Sequence, residues 1–251
     1  MTGIRITRLY PKDLDFGGDR GNAEALRLRS RRAGLDVEYV THGIGDGPIE
    51  PSDLIVLGTG PASVIDRVLS DARKHRDELA AVIDSGAPLL AIGTGAEILS
   101  HRITTLDGTQ HDGLGLVPMT SARTRDRRIG YVVADSPVGE LIGFEDHASK
   151  WTADAGAEAF GTVRVGQGIV QFDGRWAVGL RAGSVFAMQL QGPMLPLNPR
   201  VTDQLLSLAA VHAGTDYSGP REHEPVDDYA DGVRQAFRDY VKGKDLRYIR
   251  V

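Results

Sequence analysis

The chain contains no cysteine among its 251 residues. That excludes disulfides, thiolate metal sites and a cysteine nucleophile, and it is the most consequential feature of the composition. An excess of positive charge is also missing: 29 basic residues face 34 acidic ones, for a net charge of −5 and a pI near 5.8. Bulk electrostatic binding of nucleic acid needs a basic footprint, so no nucleic-acid partner is expected. The cluster from Arg27 to Arg32 is a local exception that reads as the solvated face of a helix, and a second cluster runs from Arg123 to Arg128. No apolar run approaches the roughly 18 residues of a membrane span, and the first residues lack a signal-peptide core. No membrane span and a cytoplasmic location are therefore expected. Internal repeats are absent, as is any G-x-x-x-x-G-K-[ST] phosphate loop.

What remains is ordinary globular material, 41% hydrophobic and 25% charged. Ile4 to Tyr10 alternates as a strand, and a helix begins near Gly21 and ends at Gly34. Val37 to Val40, "DLIVLGTG" from Asp53 and "PLLAIG" from Pro88 read as further strands, with one helix or two in succession over Val64 to Ile83. This alternation predicts an α/β fold on a parallel sheet with helices on both faces. From Gly113 to Gln191 the pattern changes to short strands, "GLGLVPM" among them, which should extend the sheet as hairpins. Asn198 to Ala213 reads as a helix. After Thr215 a polar linker, in which His223 should be solvated, leads to an amphipathic helix over Asp228 to Val241. Its Tyr229, Val233, Phe237, Tyr240 and Val241 share a face that docks on the body in preference to a partner.

Two glycine turns follow buried strands, Gly58 to Gly60 and Gly93 to Gly95. A dinucleotide fingerprint would need a third glycine, but Ser63 and Ile98 stand there. Strand, tight turn and helix around Gly93 instead have the form of a nucleophile elbow. His101 and His111 are too far apart for a helical i,i+4 pair and no third ligand stands out, so neither metal nor cofactor is expected.

Six segments taken together carry a resemblance: "FGGDRGNAEALRLRSRRAGLDVE", "DLIVLGTG", "GAPLLAIGTGAEILS", "GLGLVP", "GFEDHAS" and "QGPMLPLNP". In this order the chain resembles the class I glutamine amidotransferases of the CobB/CobQ type, in particular their GatD-like branch, over roughly Ile4 to Ala213. The resemblance implies a flavodoxin-like, mostly parallel sheet with short antiparallel strands in a domain over 1–215, followed by the linker and helix over 216–251. It implies a MurT-like Mur-ligase-type subunit as partner in peptidoglycan precursor (lipid II) modification, in a heterodimer or larger assembly. Glutamine or another amino acid would be the small ligand.

The family's chemistry uses a cysteine at the elbow, where backbone amides stabilise an oxyanion, and a histidine base. Those positions fall on Gly93 and Gln191, which supply neither nucleophile nor base. The family's other turn, roughly G-G-G-Q, is Gly58-Thr59-Gly60-Pro61 here. A catalytically degenerate subunit is therefore expected, with Gly93 and Gln191 as vestigial positions and Gly60, Thr94, Gly95 and Arg128 as binding residues. Arg128 stands where the family carries an arginine for a substrate carboxylate, and it reads equally well as an exposed loop residue. Two alternatives stay open. One is a hydrolase or transferase with Thr94 as nucleophile and His147 as base. The other is a module holding a small ligand with Arg128 and the Gly93 to Gly95 amides. Glu97, Glu145 and Asp146 read as structural.

Overall fold

In a computed structural model, which describes residues 3–220 and 225–242, strand β1 (Gly3–Leu9) runs through a loop into α1 (Asp19–Arg32). Gly34 ends that helix in the left-handed conformation (φ 83°), letting Leu35 N–H bond to Ser30 at 3.0 Å. Then follow β2 (Asp36–His42) and β3 (Leu54–Leu57). The long apolar stretch becomes two helices, α2 (Ile65–Ala72) and α3 (Arg76–Asp84), joined by a 3-10 turn. Strand β4 (Leu89–Ile92) leads directly into the short α4 (Thr94–Leu99).

The next strands are β5 (Arg102–Thr104), β6 (Gln110–Asp112), β7 (Met119–Ser136), β8 (Gly139–Ala153), β9 (Glu158–Val165), β10 (Val170–Phe172), β11 (Arg175–Ala182) and β12 (Val185–Met188). Three more helices follow among the described residues: α5 (Met194–Leu197), α6 (Pro199–His212) and α7 (Pro225–Val241). One twelve-stranded sheet results. Its parallel core has the order β2-β1-β3-β4-β12, and mainly antiparallel strands extend it from β11 outward. The expected α/β architecture with an antiparallel extension is present.

Period-2 alternation divides the core between the two faces. Ile55, Leu57, Leu89, Ala91, Val185 and Ala187 pack with Val68, Leu79 and Ile98 on one face. Leu54, Val56, Leu90, Ile92, Phe186 and Met188 pack with Leu26 and Leu205 on the other. Central strands buried on both faces read as continuous apolar runs, which is why β3 and β4 are so legible.

The structure differs from expectation in three places. Residues 113–118 are loop, not strand: the amides of Leu114, Leu116 and Val117 bond to the carbonyls of Ile98 and Leu99, meeting the unsatisfied C-terminal end of α4. The strands β7 and β8 are not short but form a ribbon of 18 and 15 residues. A register shift between Arg123 and Arg128 breaks its alternation, so sequence periodicity sees separate pieces.

In α7, Ala230, Arg234, Phe237 and Val241 turn inward, while Tyr229, Val233 and Tyr240 stay largely exposed on the adjacent stripe. The helix lies against its own chain. Phe237 and Tyr240 meet the Tyr131 ring at 4.5 and 5.2 Å, and Arg234 donates to Asn198 Oδ1 and the Glu140 carbonyl, both at 2.9 Å. His223 lies outside the described residues. Among the described residues no helix is long and apolar enough to cross a membrane.

Candidate functional site

The carboxyl ends of β1, β3, β4 and β12 open onto one cavity of about 280 Å³, the position where parallel α/β sheets place their ligands. Its lining includes Phe16, Thr59, Gly60, Thr94, Gln189 and Gln191. Gly93 makes the turn between β4 and α4 with φ 51° and ψ −115°, a conformation that L side chains rarely adopt. The strand, strained turn and helix of a nucleophile elbow are thus formed in full, around a residue with no side chain.

The space beside Gly93 is filled from across the turn. A Cβ at this position would overlap Thr59 Oγ1, lie 2.8 Å from Thr59 Cβ and lie 3.2 Å from Gln189 Oε1. The elbow amides are also committed. Gly93 N–H donates to the Met188 carbonyl (2.8 Å), Thr94 N–H to Thr59 Oγ1 (3.1 Å) and Gly95 N–H to the Gly58 carbonyl (3.1 Å). The Thr94 hydroxyl, itself buried, donates to the Gly60 carbonyl at 2.6 Å. Gln191 is pinned by paired backbone bonds with Phe144 and by its side-chain amide, 3.4 Å from the Asp146 carbonyl.

Two arginines line the cavity, and both are paired. Arg123 forms a short ion pair with buried Glu97, which also accepts from Ser121 (2.9 Å) and Trp151 (3.3 Å). Arg127 grips Asp146 with both ends of its fork, at 2.7 and 2.9 Å. Arg128 is placed elsewhere, bonded to the Gly168 carbonyl and stacked 4.5 Å from the centre of the Trp176 ring. His147 reaches the cavity, but its Nδ1 lies 3.1 Å from the Ser149 carbonyl and its Nε2 3.6 Å from Glu145. Thr59, Arg123, Arg127 and Gln189 were not expected as cavity residues; the altered glycine turn that contains Thr59 and the basic cluster from Arg123 to Arg128 are the signals that could have found three of them.

Asp19, at the start of α1, supports the floor of this site. Its carboxylate accepts from Thr59 N–H and, at 3.1 Å, from Asn22. Burial outweighs these bonds and pushes the carboxyl up to about 7 from an ordinary 3.8. Between those values the native state keeps a proton that the unfolded chain has released. The contribution to stability is therefore full below about pH 4 and falls as pH rises to about 7, by up to about 4 kcal/mol at about 1.4 kcal/mol per unit. Asp19→Asn, which keeps an acceptor for Thr59, should remove this decline. The check is the melting temperature of both proteins from pH 4 to 8, and parallel curves would refute the assignment.

Comparison with known proteins agrees with this geometry. The family model for the CobB/CobQ-like glutamine amidotransferase domain matches residues 5–196. The chain is 29% identical over 224 residues to the GatD subunit of lipid II isoglutaminyl synthase (glutamine-hydrolyzing) of Staphylococcus aureus strain N315, covering 88% of this chain and 90% of that one. It is 27% identical over 141 residues to the hydrogenobyrinate a,c-diamide synthase of a Sinorhizobium species, covering 54% of this chain and 32% of that one. A crystal structure of a glutamine amidotransferase superposes with a TM-score of 0.56 at 19% identity, over 81% of this chain and 98% of the other, which supports the fold. An elbow at the carboxyl edge of a parallel sheet and a family match over most of its length show that the chain belongs to the CobB/CobQ-like glutamine amidotransferases.

Proposed function

We propose that this chain is a GatD-like subunit without a glutaminase dyad, the partner or scaffold of a MurT-like Mur ligase in peptidoglycan precursor modification. It would work in the cytoplasm, with residues 1–215 as the amidotransferase-like unit and 216–251 as a tail. One observation carries the reading: the Thr59 hydroxyl fills the space a nucleophile would need at Gly93 and takes up the Thr94 amide. An oxyanion hole requires amides aimed at an open position, and this one is closed from within. Thr94 is a poor substitute nucleophile, because its proton is held by the Gly60 carbonyl. The ligase partner would then draw on free ammonia or another amine.

Co-expression with a MurT-like ligase tests both halves. A stable complex should form, ammonia should not be released from glutamine by chain or complex, and free ammonia should support ligation. Glutamine hydrolysis abolished by Thr94→Ala would overturn the degenerate reading, and failure to bind the ligase would overturn the partnership.

A second reading has its own support. Arg123 Nε, His147 Nε2 and Ser149 Oγ are buried without hydrogen-bond partners among the described residues, and all three residues line the cavity. Orphaned buried polar atoms favour a small polar ligand there, such as an amino acid. Calorimetric titration with glutamine should show saturable binding that Ser149→Ala weakens, and no heat of binding would remove this reading.

A further inference from the structure

Three buried side chains converge outside the elbow cavity, where the ends of β1 and β2 meet α2 and the turn that follows it. His42 ends β2, Asp71 lies in the last turn of α2, and His75 closes the 3-10 turn. One donor atom from each lies within 4.8 Å of the other two. His42 is 5% exposed, Asp71 2% and His75 8%, so solvent cannot satisfy them. His42 Nε2 has no hydrogen-bond partner among the described residues, a condition that ordinarily costs stability.

Asp71 Oδ1 accepts from Gly45 N–H and the Lys74 ammonium, both at 3.2 Å. That turns Oδ2 toward Tyr10 OH (3.3 Å) and His75 Nε2 (3.9 Å). On the other side of the His75 ring, Nδ1 lies 3.4 Å from Glu78 Oε2. Neither atom makes a hydrogen bond among the described residues, so His75 Nδ1, like His42 Nε2, is a buried ring nitrogen without a partner. Two imidazoles and one carboxylate suit zinc and its neighbours in the transition series rather than magnesium or calcium.

We propose that His42, Asp71 and His75 form a binding site for a divalent transition metal of the zinc class, separate from the elbow cavity. Tetrahedral ligands at zinc distances stand about 3.3 Å apart, so a trio whose donor atoms lie within 4.8 Å of one another needs to close by up to about 1.5 Å. The ion would join the end of β2 to the junction of α2 and α3, beside Tyr10. From Tyr10 the loop leads on to Phe16 at the cavity.

The test uses the untagged full-length chain, stripped with chelator and titrated with Zn²⁺ and with Co²⁺. One equivalent of either ion should bind, and the Co²⁺ protein should show the strong visible absorption of a low-coordinate site. A hundredfold excess of Zn²⁺ over its Kd should raise Tm by about 5 °C. His42→Gln and His75→Gln should each lose the equivalent, whereas the His101→Gln/His111→Gln double variant should keep it. Failure of the wild-type chain to bind one equivalent would overturn the proposal even if a variant misfolds. Undiminished binding in a folded His42→Gln/His75→Gln protein would place the ion elsewhere and overturn it equally.

Discussion

Replacing Gly93 with cysteine, Gln191 with histidine and Thr59 with glycine should create glutamine-dependent ammonia release, with none expected from the parent. The order of the substitutions matters. Gly93→Cys alone places a side chain at φ 51° and against Thr59, a combination expected to cost about 2–3 kcal/mol in strain and overpacking. Adding Thr59→Gly opens the space and frees the Thr94 amide, which now donates to the Thr59 hydroxyl, as an oxyanion donor. Glycine is also what the family's turn carries at this position. The histidine at 191 then supplies the base, a contribution of about 10²–10⁴ in rate, so the triple variant should exceed the Thr59→Gly/Gly93→Cys double by that factor. A coupled ammonia assay measures it, alone and with the proposed MurT-like ligase. Equal activity with Thr59 retained would show that the hydroxyl is no plug.

The largest expected loss of stability comes from Arg123→Met. Glu97 is buried beneath the cavity, and Arg123 is its charged partner. Removing the guanidinium leaves a buried carboxylate with only the neutral donors Ser121 and Trp151, which should cost about 3–5 kcal/mol and lower Tm by about 10 °C. The Arg123→Met/Glu97→Gln double variant should recover much of that, because the cost lies in the stranded charge more than in the lost contact. A double-mutant cycle by denaturant unfolding gives the coupling energy. A loss below about 1 kcal/mol would mean that the pair behaves as a solvated one.

The same arginine shows where sequence reading stops. Counting along the family pattern singles out Arg128, yet it is Arg123 and Arg127 that reach the cavity. The register shift in β7 lies between Arg123 and Arg128. A bulge of this kind re-aims side chains, and no local periodicity announces it. The split of α7 into an inward and an outward stripe has a similar origin. Both stripes are apolar enough to pack, and the position of Tyr131 and Glu140 on the β7–β8 ribbon selects the one carrying Phe237 and Arg234.

The histidines make the point again. His101 and His111 attract attention because they stand close together in the chain, but His42, Asp71 and His75 come from two segments that meet only after β1 and β2 pair and α2 folds over their ends. Sequence was sufficient for the alternation of strands and helices, the glycine turn at Gly93 and the absence of a thiol there, since each depends on a residue and its near neighbours. Packing settled that Thr59 fills the empty elbow, which arginines face the cavity and which histidines converge. Those outcomes depend on strand register and on contacts between distant segments, and a side chain's destination is set by the partner it meets there.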